Sequence, residues 1–97
     1  MKPHIFRPAA AADIEAIHGQ YEEERGGLGA EFLVEAGRAV GTVVSLPEAY
    51  PLLHRDVRRA LIRRFPYGLL YRTVDDVIVF VGCFHTSRDP LSWRKRK

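Results

Sequence analysis

Cysteine is almost missing from this chain. Cys83 stands alone among 97 residues, so no internal disulfide framework can staple the fold, and a reducing compartment suits it. Long apolar runs are missing as well. No stretch of about 18 apolar residues occurs, which excludes a hydrophobic helical span. The opening Met1-Lys2-Pro3-His4-Ile5 lacks the apolar core of a secretory leader, so the expected setting is the cytoplasm, with no membrane partner. Metal-ligand spacing is absent too: His4, His18 and His54 are scattered, and a single thiol cannot build a thiolate site. There is no glycine-rich phosphate loop and no nucleophile elbow. No cofactor and no metal are expected.

What is present is an ordinary globular balance, 46% hydrophobic and 28% charged. The length fits a single domain over residues 1–97, with a modest core. Charge is distributed unevenly along it. Residues 1–50 hold four basic and eight acidic side chains, a net of −4, whereas residues 51–97 hold eleven basic and four acidic ones, a net of +7. Such a split points to an interaction surface in the second half. The plainer alternative is that arginine and lysine merely solvate exposed strands.

The pattern of elements is α+β. His4-Ile5-Phe6-Arg7 reads as a short strand, and Pro8 opens a helix, where its missing N–H costs nothing. Ala10, Ile14, Ile17 and Tyr21 recur on one helical face up to about Arg25, and Gly26-Gly27 ends the helix. A second helix runs from about Leu28 to Ser45, with Phe32, Leu33, Ala36, Val40, Val43 and Val44 as its buried side. Gly37 and Gly41 sit inside it, each costing roughly 1 kcal/mol of propensity. A close approach by another element would compensate; simple tolerance of small residues is the alternative. The short connection makes the pair an antiparallel hairpin. Pro47 to Pro51 is a loop. Three strands follow, at about Val57–Phe65, Tyr67–Val74 and Val77–Phe84, with Asp75-Asp76 as a tight turn between the last two. Val77 to Val81 is apolar on both faces and belongs in the middle of the sheet. The expected fold is therefore β-α-α-β-β-β, a helix hairpin on a small, mainly antiparallel four-stranded sheet.

The candidate functional groups are mostly cationic. Arg55, Arg58, Arg59, Arg63 and Arg64 form a first basic cluster, in and just before the first strand of the meander. On a strand, Arg59 and Arg63 face one way and Arg58 and Arg64 the other. Guanidinium forks suit phosphate or carboxylate. The competing interpretation is an edge strand protected by charge. His85 follows the last strand and is the residue there whose ordinary titration range suits proton transfer; Arg88 is placed to stabilise phosphoryl charge. A turn held by the side chains of His85 and Asp89 is the structural alternative. Residues 88–97 form a basic tail, with Trp93 as a packed anchor and Arg94 and Lys95 as phosphate-attracting groups. Cys83 is expected to be a small buried apolar residue.

Four stretches in order resemble one family. They are Tyr21-Glu22-Glu23-Glu24-Arg25 before Gly27-Leu28-Gly29 and Phe32; Pro47-Glu48-Ala49-Tyr50-Pro51; Val57 through Tyr67 with Leu70-Tyr71-Arg72; and His85-Thr86-Ser87-Arg88-Asp89-Pro90-Leu91-Ser92-Trp93-Arg94. Together, over almost the whole chain, they resemble the RelE/ParE toxin superfamily of type II toxin–antitoxin systems, closer to its ParE branch. The resemblance implies a cognate antitoxin, a hetero-oligomer with it, and a target in DNA topology or translation. On that basis Arg58, Arg59, Arg63, Arg64, Tyr71, Arg72, Arg94 and Lys95 are the candidate target- or nucleic-acid-binding residues. An antitoxin segment is expected to cover the helix hairpin at Leu28, Phe32 and Leu33 and to reach the basic face at Arg59 and Arg63. The RelE branch, which cuts mRNA on ribosomes, commonly has arginine after the aromatic residue that opens the middle strand. Here that slot is Gly68, in Tyr67-Gly68-Leu69-Leu70-Tyr71, which would leave a nuclease relying on His85 and Arg88. The resemblance therefore favours a ParE-like inhibitor of DNA gyrase over a ribosome-dependent mRNA endonuclease, with a non-toxic basic binding scaffold as a third reading.

Overall fold

The computed structural model describes residues 2–88. Its elements run β1 (His4–Phe6), α1 (Pro8–Glu24), α2 (Leu28–Ser45), β2 (Leu52–His54), β3 (Val57–Leu61), β4 (Tyr67–Val74) and β5 (Val77–His85). The strands form one sheet in the order β1-β5-β4-β3-β2. β1 is parallel to β5, and the other neighbouring pairs are antiparallel. The apolar β5 is thus internal, as its two-sided hydrophobicity requires.

The helices bury the stripe that their periodicity marks. Ala10 and Ile17 of α1 and Phe32, Ala36, Val43 and Val44 of α2 meet Ala60, Leu69, Tyr71, Ile78 and Phe80 from the sheet. A smaller cluster of Leu70, Val79 and Val81 occupies the opposite sheet face, because alternate strand residues point to opposite sides. Leu33 does not belong to the buried side of α2; it is 42% exposed. Gly37 and Gly41 are not close-approach sites, since an added Cβ on either meets nothing within 4 Å.

The close approach lies at Gly29 instead. A Cβ there would fall 2.6 Å from Glu22 Cγ and from the His18 carbonyl oxygen, so α1 and α2 touch backbone to side chain at this point. Glu22 also replaces the missing side-chain cap of α2. Its Oε1 accepts from the backbone N–H groups of Gly27 (3.0 Å), Gly29 (2.8 Å) and Ala30 (3.3 Å), which would otherwise be orphan donors at a helix start. These bonds, led by that from Gly27, hold the Glu22 carboxyl below the ordinary carboxylate range.

The sheet differs from expectation in two places. It has five strands rather than four, because Leu52–His54 folds back on β3 through a turn in which Arg55 takes φ 53°. The expected Val57–Phe65 run also ends early, at Leu61. Ile62 to Pro66 form a turn closed by Ile62 N–H donating to the Tyr67 carbonyl (2.9 Å), with Arg64 at φ 75°. The Asp75-Asp76 turn is as expected: both residues have positive φ, 50° and 65°, the geometry that matches strand twist in a two-residue hairpin. Where β4 meets β5 the register shifts after Leu70, leaving Val81 as the extra residue of a bulge. β1 pairs only as far as Phe80. Beyond it Asp13 of α1 accepts from Cys83 N–H at 3.0 Å, fastening the helix to the strand. Burial pushes the Cys83 thiol up to about 12, so it is a packed apolar group, as expected.

Candidate target- and antitoxin-binding surfaces

Among the described residues, the arginines of the second half do not form one cationic face. Arg72 projects from β4 and is closed by Asp56 in a two-pronged pair, with Nε and Nη2 at 3.0 and 2.8 Å from the same Oδ2. Arg58 turns toward the loop after α2, where its Nη1 donates to the Tyr50 carbonyl at 2.6 Å and more distantly to that of Glu48 at 3.4 Å. Arg63 and Arg64 are on the turn after β3, not on a strand, so the alternating arrangement expected for them does not exist. Arg64 pairs with Glu31 of α2 at 2.9 Å and lies over the Phe65 ring. Glu31 also takes Arg25 at 3.2 Å. The hydrogen bonds from Arg64 and Arg25, in that order, hold its carboxyl below the usual range.

Tyr71 is not a surface residue. It is fully buried, and its hydroxyl donates to the Pro47 carbonyl at 2.7 Å. Burial pushes the phenol up to about 12, against an opposing effect of the Arg58 charge. Its place among target-binding residues is therefore corrected: alternation in β4 points residues 67, 69 and 71 toward the helices.

Arg59 is different. It is half-buried on β3, opposite Leu70, and has no carboxylate partner among the described residues. Its stem lies across Gly68 of β4: a Cβ at residue 68 would fall 2.9 Å from Arg59 Cγ and 3.0 Å from Cδ. Gly68 is thus a seat for Arg59, and any side chain there must displace it.

His85 sits at the same end of the sheet, paired in register with Tyr67. Its Nδ1 accepts two backbone N–H groups, from Ser87 at 3.1 Å and Arg88 at 3.0 Å, and Ser87 Oγ lies at 3.3 Å. That assigns the ring proton to Nε2. A general base needs a bare nitrogen facing its substrate, and Nδ1 is not bare here. His85 shapes the turn, the structural alternative set out for it. Arg88 is exposed, and its positive charge acts on Tyr21 of α1, opposing the rise that burial, first, imposes on that phenol. Asp89, Trp93, Arg94 and Lys95 lie outside the described residues.

The family is decided by comparison. The family model described as ParE toxin of type II toxin-antitoxin system, parDE, matches residues 5–90. The chain belongs to the ParE toxin family. Among solved structures, this ParE-family chain is similar to one described as the chromosomal ParDE TA system from P. aeruginosa, with TM-score 0.78 and 19% identity over 88% of this chain and 96% of that one. It is also similar to a chain of the toxin–antitoxin complex RelBE2 from Mycobacterium tuberculosis, with TM-score 0.58 and 24% identity over 87% of this chain and 96% of that one. At these identities the likeness concerns the fold. No curated protein matches the chain by sequence.

On the ParE hairpin, the residues expected to meet an antitoxin separate into outside and inside. Phe32 is fully buried and belongs to the core, where it meets the rings of Tyr21, Phe65 and Tyr67. It is therefore not a docking anchor. Leu28 is half-buried and packs against the same core. Leu33 does reach the surface. It lines an almost wholly apolar groove of about 260 Å³ with Phe6, Ala11, Ile14, Glu15 and His18. Sequence reasoning missed Phe6 and Ile14 as members of this groove. The signal was the exposed, apolar β1, which brings Ile5 and Phe6 to the sheet edge beside α1 at 54% and 36% exposure. Among the described residues, no helix is long and apolar enough to cross a membrane.

Proposed function

We propose that the chain is a gyrase-directed toxin acting in the cytoplasm, neutralised by a cognate antitoxin with which it forms a hetero-oligomer. Membership of the ParE family supports the toxin class. The observation that carries the choice of target is the His85 turn: Nδ1 is taken up by the backbone N–H groups of Ser87 and Arg88, so the group a nuclease would have to rely on is built into the backbone turn. The Gly68 seat adds to this, since no cationic side chain projects from the middle strand at that place. Arg72 lies four residues on, about 13 Å along the strand, and is already paired. Arg59, Arg63 and the tail residues Arg94 and Lys95 remain the basic groups offered to the target.

Purified gyrase provides the test. The full chain is expected to inhibit supercoiling and to trap cleaved DNA. Unimpaired supercoiling together with new mRNA cuts on ribosomes would move the assignment to the endonuclease reading. A scaffold would be shown by unaltered growth when the chain is expressed alone.

The proposed docking site for the antitoxin is the hairpin groove. An amphipathic segment setting apolar side chains between Phe6, Ile14 and Leu33 would remove exposed hydrocarbon from water, the main source of affinity at such a site. Leu33→Asp is expected to abolish antitoxin binding with little effect on the fold. Charge reversal at Arg59 and Arg63 then tests whether the segment continues to the sheet; unchanged affinity would restrict it to the helices.

A further inference from the structure

At the end of the sheet away from His85 there is a second concavity, of about 450 Å³. The loop after α2 contributes Pro47 and Glu48, the β2–β3 turn contributes Arg55 and Asp56, and Arg72 and Thr73 of β4 form its floor beside the buried Tyr71. It is unlike the hairpin groove in having as much polar as apolar lining. We propose that this cleft receives a single carboxylate presented by a protein partner, with Arg58 as its principal donor.

Three observations carry the proposal. First, the cations of the cleft are not equally engaged. Arg72 is closed by Asp56, and Lys2 stands 3.9 Å from Asp76. Arg58 uses Nη1 on two backbone carbonyls and has no carboxylate partner among the described residues; Arg55 is exposed and has none there either. Second, the tether to Tyr50 and Glu48 fixes the Arg58 guanidinium before any ligand arrives. The entropy of ordering a long side chain is then already lost in the free protein, and the remaining N–H groups keep the fork geometry that suits a carboxylate. Third, the charge balance limits the ligand. Four cations (Lys2, Arg55, Arg58, Arg72) line the cleft against three carboxylates (Glu48, Asp56, Asp76), a net of +1. That balance matches one acidic side chain. A nucleic-acid strand, with a phosphate at every nucleotide, would press further negative charge against Glu48 and Asp76. Arg58 is thereby separated from the nucleic-acid-binding set and given a protein-facing role. The proposal goes beyond the toxin reading and depends on neither the gyrase assignment nor the antitoxin groove.

The test is an NMR titration of the full-length chain with a capped pentapeptide carrying one glutamate in an alanine background. Saturable shifts are expected at the Arg58 side-chain N–H and the Thr73 amide, with a Kd on the order of 1 mM, as befits one charged contact. The same peptide with glutamine should produce none, a comparison made on the unaltered protein. Arg55→Gln, at an exposed turn position, should weaken binding by about fivefold by removing a charge-assisted contact, while the spectrum stays folded. Equal shifts from the glutamine peptide would overturn the proposal. So would silence up to roughly 20 mM glutamate peptide, or tighter binding of a short single-stranded oligonucleotide at the same resonances.

Discussion

The two ends of the β3–β4–β5 meander are held in different ways. The end near His85 rests on aromatic packing: Tyr21, Phe32, Phe65 and Tyr67 meet at centroid distances of 5.0 to 6.3 Å, and His85 adds its ring edge to Tyr67 at 5.3 Å. The far end is tied by polar bonds to the loop after α2 and to the β2–β3 turn, through Tyr71 to Pro47, Arg58 to Tyr50, and Arg72 to Asp56. The difference decides which cations are offered to a partner. Apolar contacts at the near end leave Arg59 lying on bare backbone, whereas the polar ties of the far end consume Arg72 and immobilise Arg58. Among the described residues, the count of basic side chains therefore overstates the cationic surface, since what counts is the partner each guanidinium meets in space.

The largest effect expected from breaking this comparison is at the near end. Phe32→Ala should destabilise the fold by about 3–5 kcal/mol, the cost of a cavity among buried rings. Its neighbour Leu33→Ala should stay within about 0.5 kcal/mol, as for surface positions. Denaturant unfolding of both separates core from docking surface. Next, Gly68→Val should cost about 1–3 kcal/mol by forcing the Arg59 stem off its seat. Adding Arg59→Ala should return most of that loss, a coupling that a double-mutant cycle reads directly.

The far end responds more weakly. Tyr71→Phe should cost about 1 kcal/mol through the loss of one hydrogen bond to Pro47, measured by the shift of the denaturation midpoint. Asp56→Asn should change stability by less than about 1 kcal/mol, because the pair is partly exposed, yet it frees Arg72 and should lengthen retention on a polyanionic resin. The acid response belongs to the hairpin. The folded-state pKa of Glu22 is depressed, so its contribution is present above about pH 4.5 and is lost as pH falls through the lower folded value. Glu22→Gln should accordingly flatten part of the loss of melting temperature on acidification below pH 4.5.

These contrasts also mark what the sequence makes legible. The hairpin is readable because Ala10, Ile14, Ile17 and Tyr21 repeat at helical spacing, and the placement of β5 because Val77 to Val81 is apolar throughout. β2 is harder to see: three residues carry too short an alternation, and their pairing depends on a left-handed Arg55 that side-chain chemistry does not announce. The strand assignment of Arg63 and Arg64 fails because hydrophobic composition continues through Ile62 and Phe65 while the backbone turns. Partners such as Glu31 for Arg64 are 33 residues away in the chain, so no local pattern records them. The inward direction of Tyr71 is legible from the alternation of residues 67, 69 and 71 in β4, whereas the resemblance of Leu70-Tyr71-Arg72 to the family carries its chemistry and not its direction.

The most direct test of the account uses His85→Asn. Asparagine keeps a side-chain oxygen to accept from the backbone at the turn and cannot shuttle a proton at neutral pH. Expression of the folded variant without antitoxin should still arrest growth and should still inhibit gyrase supercoiling. A folded His85→Asn protein that leaves growth and supercoiling untouched would contradict it.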